Sequence, residues 1–355
     1  MKNGSKIVRI LGLVLIAMLV LSAAACGGDN GPAPADVPEQ NGGAAEYENG
    51  NDNGNGQEEP AEPETGGGDG AVTRPLITED RDGNPITLPD SINTIISMGP
   101  ANTEIIVALG LGDKIIAMDA FSAGIAGVNQ EIPHFDMLNP DGEQLINLMP
   151  DVIFVPGMSR QGGAEDPFWL VSQAGITVIY IPSSTSLDAI MDDIRFIAAV
   201  LDADERAEAI ISEMQGEIDR IRAIGETITD ARTVYFEVSP APHMVSFGSG
   251  TFLTEMIEII GAVNILAADI YSWSSVSDEI ILMLDPDVIL TSTNFIDDPV
   301  GEIMSRSGWD AITAVRDGAV HFIDTDASNR PSHNVVSALL EMAYAVYPEE
   351  SWRRG

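Results

Sequence analysis

The residues able to do chemistry in this chain of 355 lack the spacing that catalysis needs. Its four histidines, His134, His243, His321 and His333, show no metal-ligand spacing, and there is no His-rich loop. No Gly-x-Ser-x-Gly elbow stands between a strand and a helix. Gly248-Ser249-Gly250 could cradle an anion before a helix, but it lacks the third glycine of a dinucleotide fingerprint and the lysine of a P-loop. Turn chemistry is its default reading. The remaining chemistry is non-covalent. Phe121, Met158, Arg160, His243, Met244, Phe247, Tyr271, Trp273, Asn294, Phe295 and Arg330 all fall in segments that follow predicted strands. Aromatic faces, methionines and a few polar tips suit a large, flat, partly apolar ligand. Each has a plainer reading too. Trp273 could cap a core, Met244 could pack, and His243 reads better as a solvated loop residue than as an iron ligand. No catalytic residue, metal ligand or cofactor is assigned. A secreted metal-dependent enzyme on an α/β scaffold is the rival from another class, and a metal assay on purified protein discriminates.

The elements that place these residues come from an alternation of short β-branched runs and amphipathic stretches. Strands are predicted over Thr94–Met98, Lys114–Met118, Asp151–Val155, Thr177–Ile181, Thr233–Val238, Val288–Thr291 and Val320–Ile323. Helical patterns lie between them, as at Thr103–Leu109, Gln144–Leu148, Phe252–Ile260 and Glu279–Leu284. The fold class is α/β, with mainly parallel sheets flanked by helices. In such sheets ligands gather beyond the carboxyl ends of strands, where the residues above stand.

The chain also contains itself twice. Glu143 lies seven residues before Pro150-Asp151-Val152-Ile153, and Glu279 lies seven before Pro286-Asp287-Val288-Ile289. Thr103-Glu104 leads to Gly110, and Thr254-Glu255 leads to Gly261 at the same spacing. The two pairs recur in the same order, which predicts two lobes of similar design. Locally, Pro-Asp ends a helix and enters a buried strand. Thr-Glu is expected to cap and open a helix, and each glycine to close one at positive φ. By themselves Glu143 and Glu279 read as acids serving a helix dipole.

Between the halves, apolar residues recur at helical spacing from Leu187 to about Ile228. A break is expected at Asp202-Ala203-Asp204, where an aspartate would cap a second helix ending at Gly225. That helix is long enough to join the lobes as a strut permitting only small rocking. The domains read as 73–185, a connector at 186–228, and 229–355.

Ahead of them, Lys2, Lys6 and Arg9 precede an apolar run closing on Ala23-Ala24-Ala25-Cys26, which reads as an export signal over 1–26. Cys26 is the sole cysteine. Residues 27–72 carry 11 acids, no base and almost nothing large and apolar, so they read as a disordered acidic spacer. The whole chain has net charge −38, from 55 acidic and 17 basic residues, which excludes nucleic acid as a partner.

Together these elements resemble a known family. Ser97-Met98-Gly99-Pro100-Ala101-Asn102-Thr103-Glu104, Leu148-Met149-Pro150-Asp151 and Val263-Asn264-Ile265 come first. Trp273 with Val276-Ser277-Asp278-Glu279, Gly308-Trp309 and Asp317-Gly318-Ala319-Val320 follow. In order and spacing they look like the iron-siderophore/cobalamin class of substrate-binding proteins of ABC importers, over about 73–350. The resemblance implies two α/β lobes joined by one long helix, with an iron-siderophore complex or cobalamin held in the cleft, or alternatively heme. It implies no enzyme activity, and a monomer is expected. It implies that Glu143 and Glu279 dock on the permease, one from each lobe. Cys26 resembles the lipidated cysteine of a bacterial lipobox, although Ala23 stands where leucine is commoner. That implies an extracytoplasmic protein anchored to the cell membrane. In cobalamin-binding relatives an aromatic residue, a tryptophan, an aspartate and an arginine occupy the positions of Phe121, Trp273, Asp326 and Arg330. Arg160, Met244, Phe247, Tyr271 and Asn294 complete the expected contacts. Phe121 lacks the hydroxyl of the tyrosine often found there, and Ala327 and Ser328 lack aromatic bulk. Only Arg160 and Arg330 could meet an anionic siderophore, which favours a neutral or cationic ligand such as cobalamin, or a heme held by aromatic packing.

Overall fold

β-branched runs and amphipathic stretches alternate throughout the computed structural model, which describes residues 77–352. In chain order the first half holds β1 (Ile95–Ser97), α1 (Pro100–Ala108), β2 (Ile115–Asp119), β3 (His134–Phe135), α2 (Gly142–Asn147), β4 (Val152–Pro156), α3 (Trp169–Gln173) and β5 (Thr177–Ile181). Two helices follow, α4 (Leu187–Leu201) and α5 (Asp204–Gly225). The second half holds β6 (Thr233–Glu237), β7 (Val245–Phe247), α6 (Phe252–Ile259), β8 (Val263–Asn264), β9 (Trp273–Ser275), α7 (Asp278–Leu284) and β10 (Val288–Thr291). It ends with α8 (Pro299–Met304), α9 (Thr313–Asp317), β11 (Val320–Phe322), α10 (Thr325–Asn329) and α11 (Val335–Val346).

The strands form two parallel sheets, one in the order β3-β2-β1-β4-β5 and one in the order β11-β10-β6-β8. Each half places its first strand centrally, its next strand on one side and two later strands on the other. The repeat seen in the sequence is therefore a repeat of topology. Its Pro-Asp motif has a physical task that proline alone does not explain. The Asp151 carboxylate accepts from the backbone N–H of Asn93 at 2.7 Å and of Thr94 at 2.8 Å, and from the Thr94 hydroxyl at 3.0 Å. Asp287 repeats this on Thr233, taking its N–H and its hydroxyl at 2.8 Å each. Each aspartate pins the start of the neighbouring central strand and so sets its register.

The strands alternate sides, as a period of two requires. Val152 and Phe154 face one core while Ile153 and Val155 face another. Val234 and Phe236 share the first core, while Tyr235 faces a third. The first core is continuous. It runs from β1 and α1 through Ile190, Ile194 and Ile197 of α4 and Ile211, Met214 and Ile218 of α5 to β6, α6 and α11. The connector thus packs against both lobes, and its apolar stripe is the one its periodicity predicted.

Several local expectations are corrected. Thr103 and Thr254 are not caps. Gly99 precedes α1 with Pro100 at its first position, and Thr251 caps α6 by accepting the Thr254 N–H. Neither Asp202 nor Asp204 caps α5: the residue before it is Ala203, without a side-chain cap bond, and Asp202 ends α4 at φ 62°. Gly110 and Gly261 do lie at positive φ, 82° and 81°. Gly225 has another reason, for a Cβ there would stand 2.1 Å from the Ile259 carbonyl oxygen. The segments around Phe247 and Trp273, expected as loops, pair as the antiparallel strands β7 and β9, with Phe247 opposite Trp273. The signal, Cys26 and the acidic spacer lie outside the described residues. No described helix is long and apolar enough to cross a membrane.

Candidate ligand cleft

The carboxyl ends of the strands lead into two recesses lined from both halves. In the first, of about 380 Å³, Met158, Ser183 and Thr185 follow β4 and β5 and face Thr251 and Trp273 across the gap. In the second, of about 550 Å³, Glu104, Val107, Ala123 and Ile125 face Asp326, Arg330, His333 and Asn334. Hydroxyls and one indole line the first; a small apolar floor and charged walls line the second.

The N-terminal wall is held by hydrogen bonds that the local sequence encodes. Asp119 ends β2, is fully buried, and accepts from Phe121 N at 2.7 Å, Ser122 N at 3.2 Å and the Ser122 hydroxyl. Burial pushes its carboxyl above the usual range, while these donors and Arg330 pull it down. This turn presents Phe121, half-buried against the N-terminal core. The Thr103 hydroxyl ties the turn to α1 and β1, at 2.9 Å from Ser122 Oγ and 2.8 Å from Ser97 Oγ.

Opposite, Arg330 follows α10. It donates to Glu104 Oε1 at 2.7 Å and to the Phe121 carbonyl at 3.3 Å, and it forms an ion pair with Asp326 Oδ1 at 2.8 Å. Asp326, one turn earlier, is exposed, and burial beside it raises its carboxyl against the pull of Arg330. His333 lines the same recess; its Nδ1 is buried without a hydrogen-bond partner, and burial lowers its pKa. Trp273 is half-buried, its ring 5.5 Å from that of Phe247 at 70°.

The structure therefore places Trp273, Asp326 and Arg330 in the recesses, whereas Phe121 lines neither, its ring packing against the N-terminal core and its carbonyl meeting Arg330, and the other expected contacts are dispersed. Met244 is corrected: it is 4% exposed and sits in the C-terminal core, with Sδ 3.6 Å from Arg306. Phe247 is corrected too, being fully buried between Phe236 and Trp273. Phe247, in β7, faces the core shared with the connector, while Met244, just before β7, packs into the separate C-terminal core. Arg160 is paired with Asp82 at 2.7 Å and lies over the Tyr180 ring at 5.8 Å, outside both recesses. Tyr271 is exposed and covers Gly250, and Asn294 is exposed beyond β10 without lining either recess. Gly248 approaches the Ile270 carbonyl so closely that a Cβ would stand 1.8 Å away, so the glycines there serve a tight turn. His243 is exposed.

Sequence reasoning missed Asp82, Ser183, Thr185, Thr251 and Glu104 as cleft residues. Glu104 alone carried a signal, through its place in the repeat. Glu143 and Glu279 are exposed, each in the first turn of its helix, α2 and α7. The Ser277 hydroxyl beside Glu279 lowers its carboxyl pKa. No group of three or more histidine, cysteine, aspartate or glutamate side chains able to hold a metal ion is found among the described residues.

The sequence profile of the periplasmic binding protein family matches residues 95–327. An ABC transporter substrate-binding lipoprotein of Bacillus subtilis, YvrC, is 30% identical over 277 residues, 78% of this chain and 86% of that protein. A cobalamin-binding protein of Halobacterium salinarum is 25% identical over 291 residues, covering 79% and 76% of the two chains. Among solved structures, a "possible" iron-binding (periplasmic solute-binding) protein of Staphylococcus epidermidis superposes with a TM-score of 0.64 at 27% identity, over 73% of this chain and all of that one.

Proposed function

Since the chain belongs to the periplasmic binding protein family, we propose that it captures cobalamin or an iron-siderophore complex outside the cell membrane and delivers it to the permease of an ABC importer. The observation that carries this reading is the cleft itself. Trp273 and Met158 line one recess, and Arg330 and Asp326 line the other. An indole face and a thioether suit a flat macrocycle, while the flanking hydroxyls suit its amide edges. The site has few free charges, so cobalamin is the preferred ligand. The relative from Halobacterium salinarum carries that name. Heme remains the second reading, resting on His333 Nδ1, which has no protein partner in the recess.

No bond is made or broken in this scheme. Specificity comes from cleft shape, and release from docking that draws the lobes apart. Glu143 and Glu279 stand at equivalent places in the repeat and are exposed, so they can meet a pair of basic groups on a two-fold partner. Cys26 carries the lipid that tethers the protein, and the acidic segment spaces the body from the membrane. Titration of the purified protein with cyanocobalamin, hemin and a ferric-siderophore panel tests the assignment. Quenching of tryptophan fluorescence and a raised melting temperature are expected with cyanocobalamin; silence across the panel rejects the reading.

A further inference from the structure

The repeated Thr-Glu element supplies one carboxylate in each half that the proposed docking does not use, and both reach across a boundary. Glu255 of α6 accepts the backbone N–H of Leu187 at 2.8 Å, at the start of the connector helix α4. Glu104 of α1 reaches the other half. It is 7% exposed and accepts from Arg330 Nη1 at 2.7 Å, Ser332 Oγ at 2.5 Å and Asn334 Nδ2 at 3.0 Å. These donors all lie between α10 and α11, more than 220 residues away in sequence. A carboxylate this deep is stable only while its donors stay in place.

We propose that Glu104 is a positioning residue for ligand capture: it fastens the 330–334 segment to α1 across the cleft and occupies Arg330, so that an anionic ligand finds no free cation there. Arg330 is the one basic side chain other than histidine lining either recess. Glu104 and Asp326 both face it, so the trio carries net negative charge. A carboxylate-bearing ligand could recruit Arg330 only by breaking a buried pair. A neutral macrocycle needs no such exchange. The ligand preference rests on the proposed function; the fastening does not.

The test compares wild type with Glu104→Gln, which keeps the shape and removes the charge. Amide hydrogen exchange on the ligand-free proteins reads the fastening. Exchange over 330–335 should accelerate about tenfold or more in the variant, with β1 and β6 as protected as before. The double substitution Ser332→Ala with Asn334→Ala should give a smaller acceleration, and it decides the matter should Glu104→Gln fail to fold. Wild-type exchange over 330–335 in the variants overturns the fastening. Binding of hemin, which bears two carboxylates, and of cyanocobalamin reads the preference. The ratio of hemin to cyanocobalamin affinity should rise about tenfold in Glu104→Gln, and an unchanged ratio overturns that half. If neither probe binds wild type, the preference falls, the ferric-siderophore panel decides the ligand reading, and exchange still decides the fastening.

Discussion

Single residues carry this architecture where a charge meets several donors at once. Asp151 is half-exposed, and the Asn93 N–H, with Thr94, holds its carboxyl below the ordinary range against the opposing effect of burial. A lowered acid stabilises the fold at pH values above its unfolded pKa, about 4, and that contribution is lost as pH falls through the folded value. Asp151→Asn should therefore be less stable than wild type at pH 7, and urea titrations should show the gap closing below about pH 4. Glu237 is a different case. It is 1% exposed and receives both terminal nitrogens of Arg306, at 2.6 and 2.8 Å, and Arg306 also lies over the Trp309 ring. Arg306→Met would strand that carboxylate, so a loss of about 3 to 5 kcal/mol in urea unfolding is expected. At the cleft, Trp273→Ala should weaken cyanocobalamin binding by about 10- to 100-fold with little change in melting temperature, measured by isothermal titration.

At the scale of elements, close approach decides more than propensity. The end of α5 meets the end of α6 where Gly225 and Gly261 are in reciprocal contact; a Cβ on Gly261 would stand 2.5 Å from the Gly225 carbonyl oxygen. Gly225→Ala has backbone to displace on both sides, so a loss of about 1 to 3 kcal/mol should appear in denaturant unfolding. Most elements of this kind were legible in the sequence. Thr177–Ile181 and Val288–Thr291 are strands at the predicted bounds, and α4 and α5 bury the predicted stripe. Short elements were not: β3 and β8 have two residues each, too few to show a period, and they exist because a longer neighbour offers its edge. For β7 and β9 the same shortness concealed the strands themselves, so Phe247 and the adjoining Met244 were read as loop residues.

For the whole molecule, the continuous core through α4 and α5 ties both sheets to one scaffold. Motion of the lobes is expected to be a small rocking about that scaffold. In the proposed docking the scaffold keeps the spacing of Glu143 and Glu279 fixed. Charge reversal at both, Glu143→Arg with Glu279→Arg, should abolish uptake in cells while leaving cyanocobalamin affinity of the purified protein within about twofold. A large fall in affinity would reject the docking role.

Periodicity and repetition in the sequence determined the α/β class, the duplicated topology, the connector and the position of the cleft, because each is encoded by neighbours within a few turns of chain. Which side chains open to the cleft was decided by tertiary structure. Arg330 is held by Glu104, and Trp273 by packing on Phe247, through contacts between segments distant in the chain. Local spacing carries no record of such encounters, since they arise only when separate elements are pressed together by a shared core.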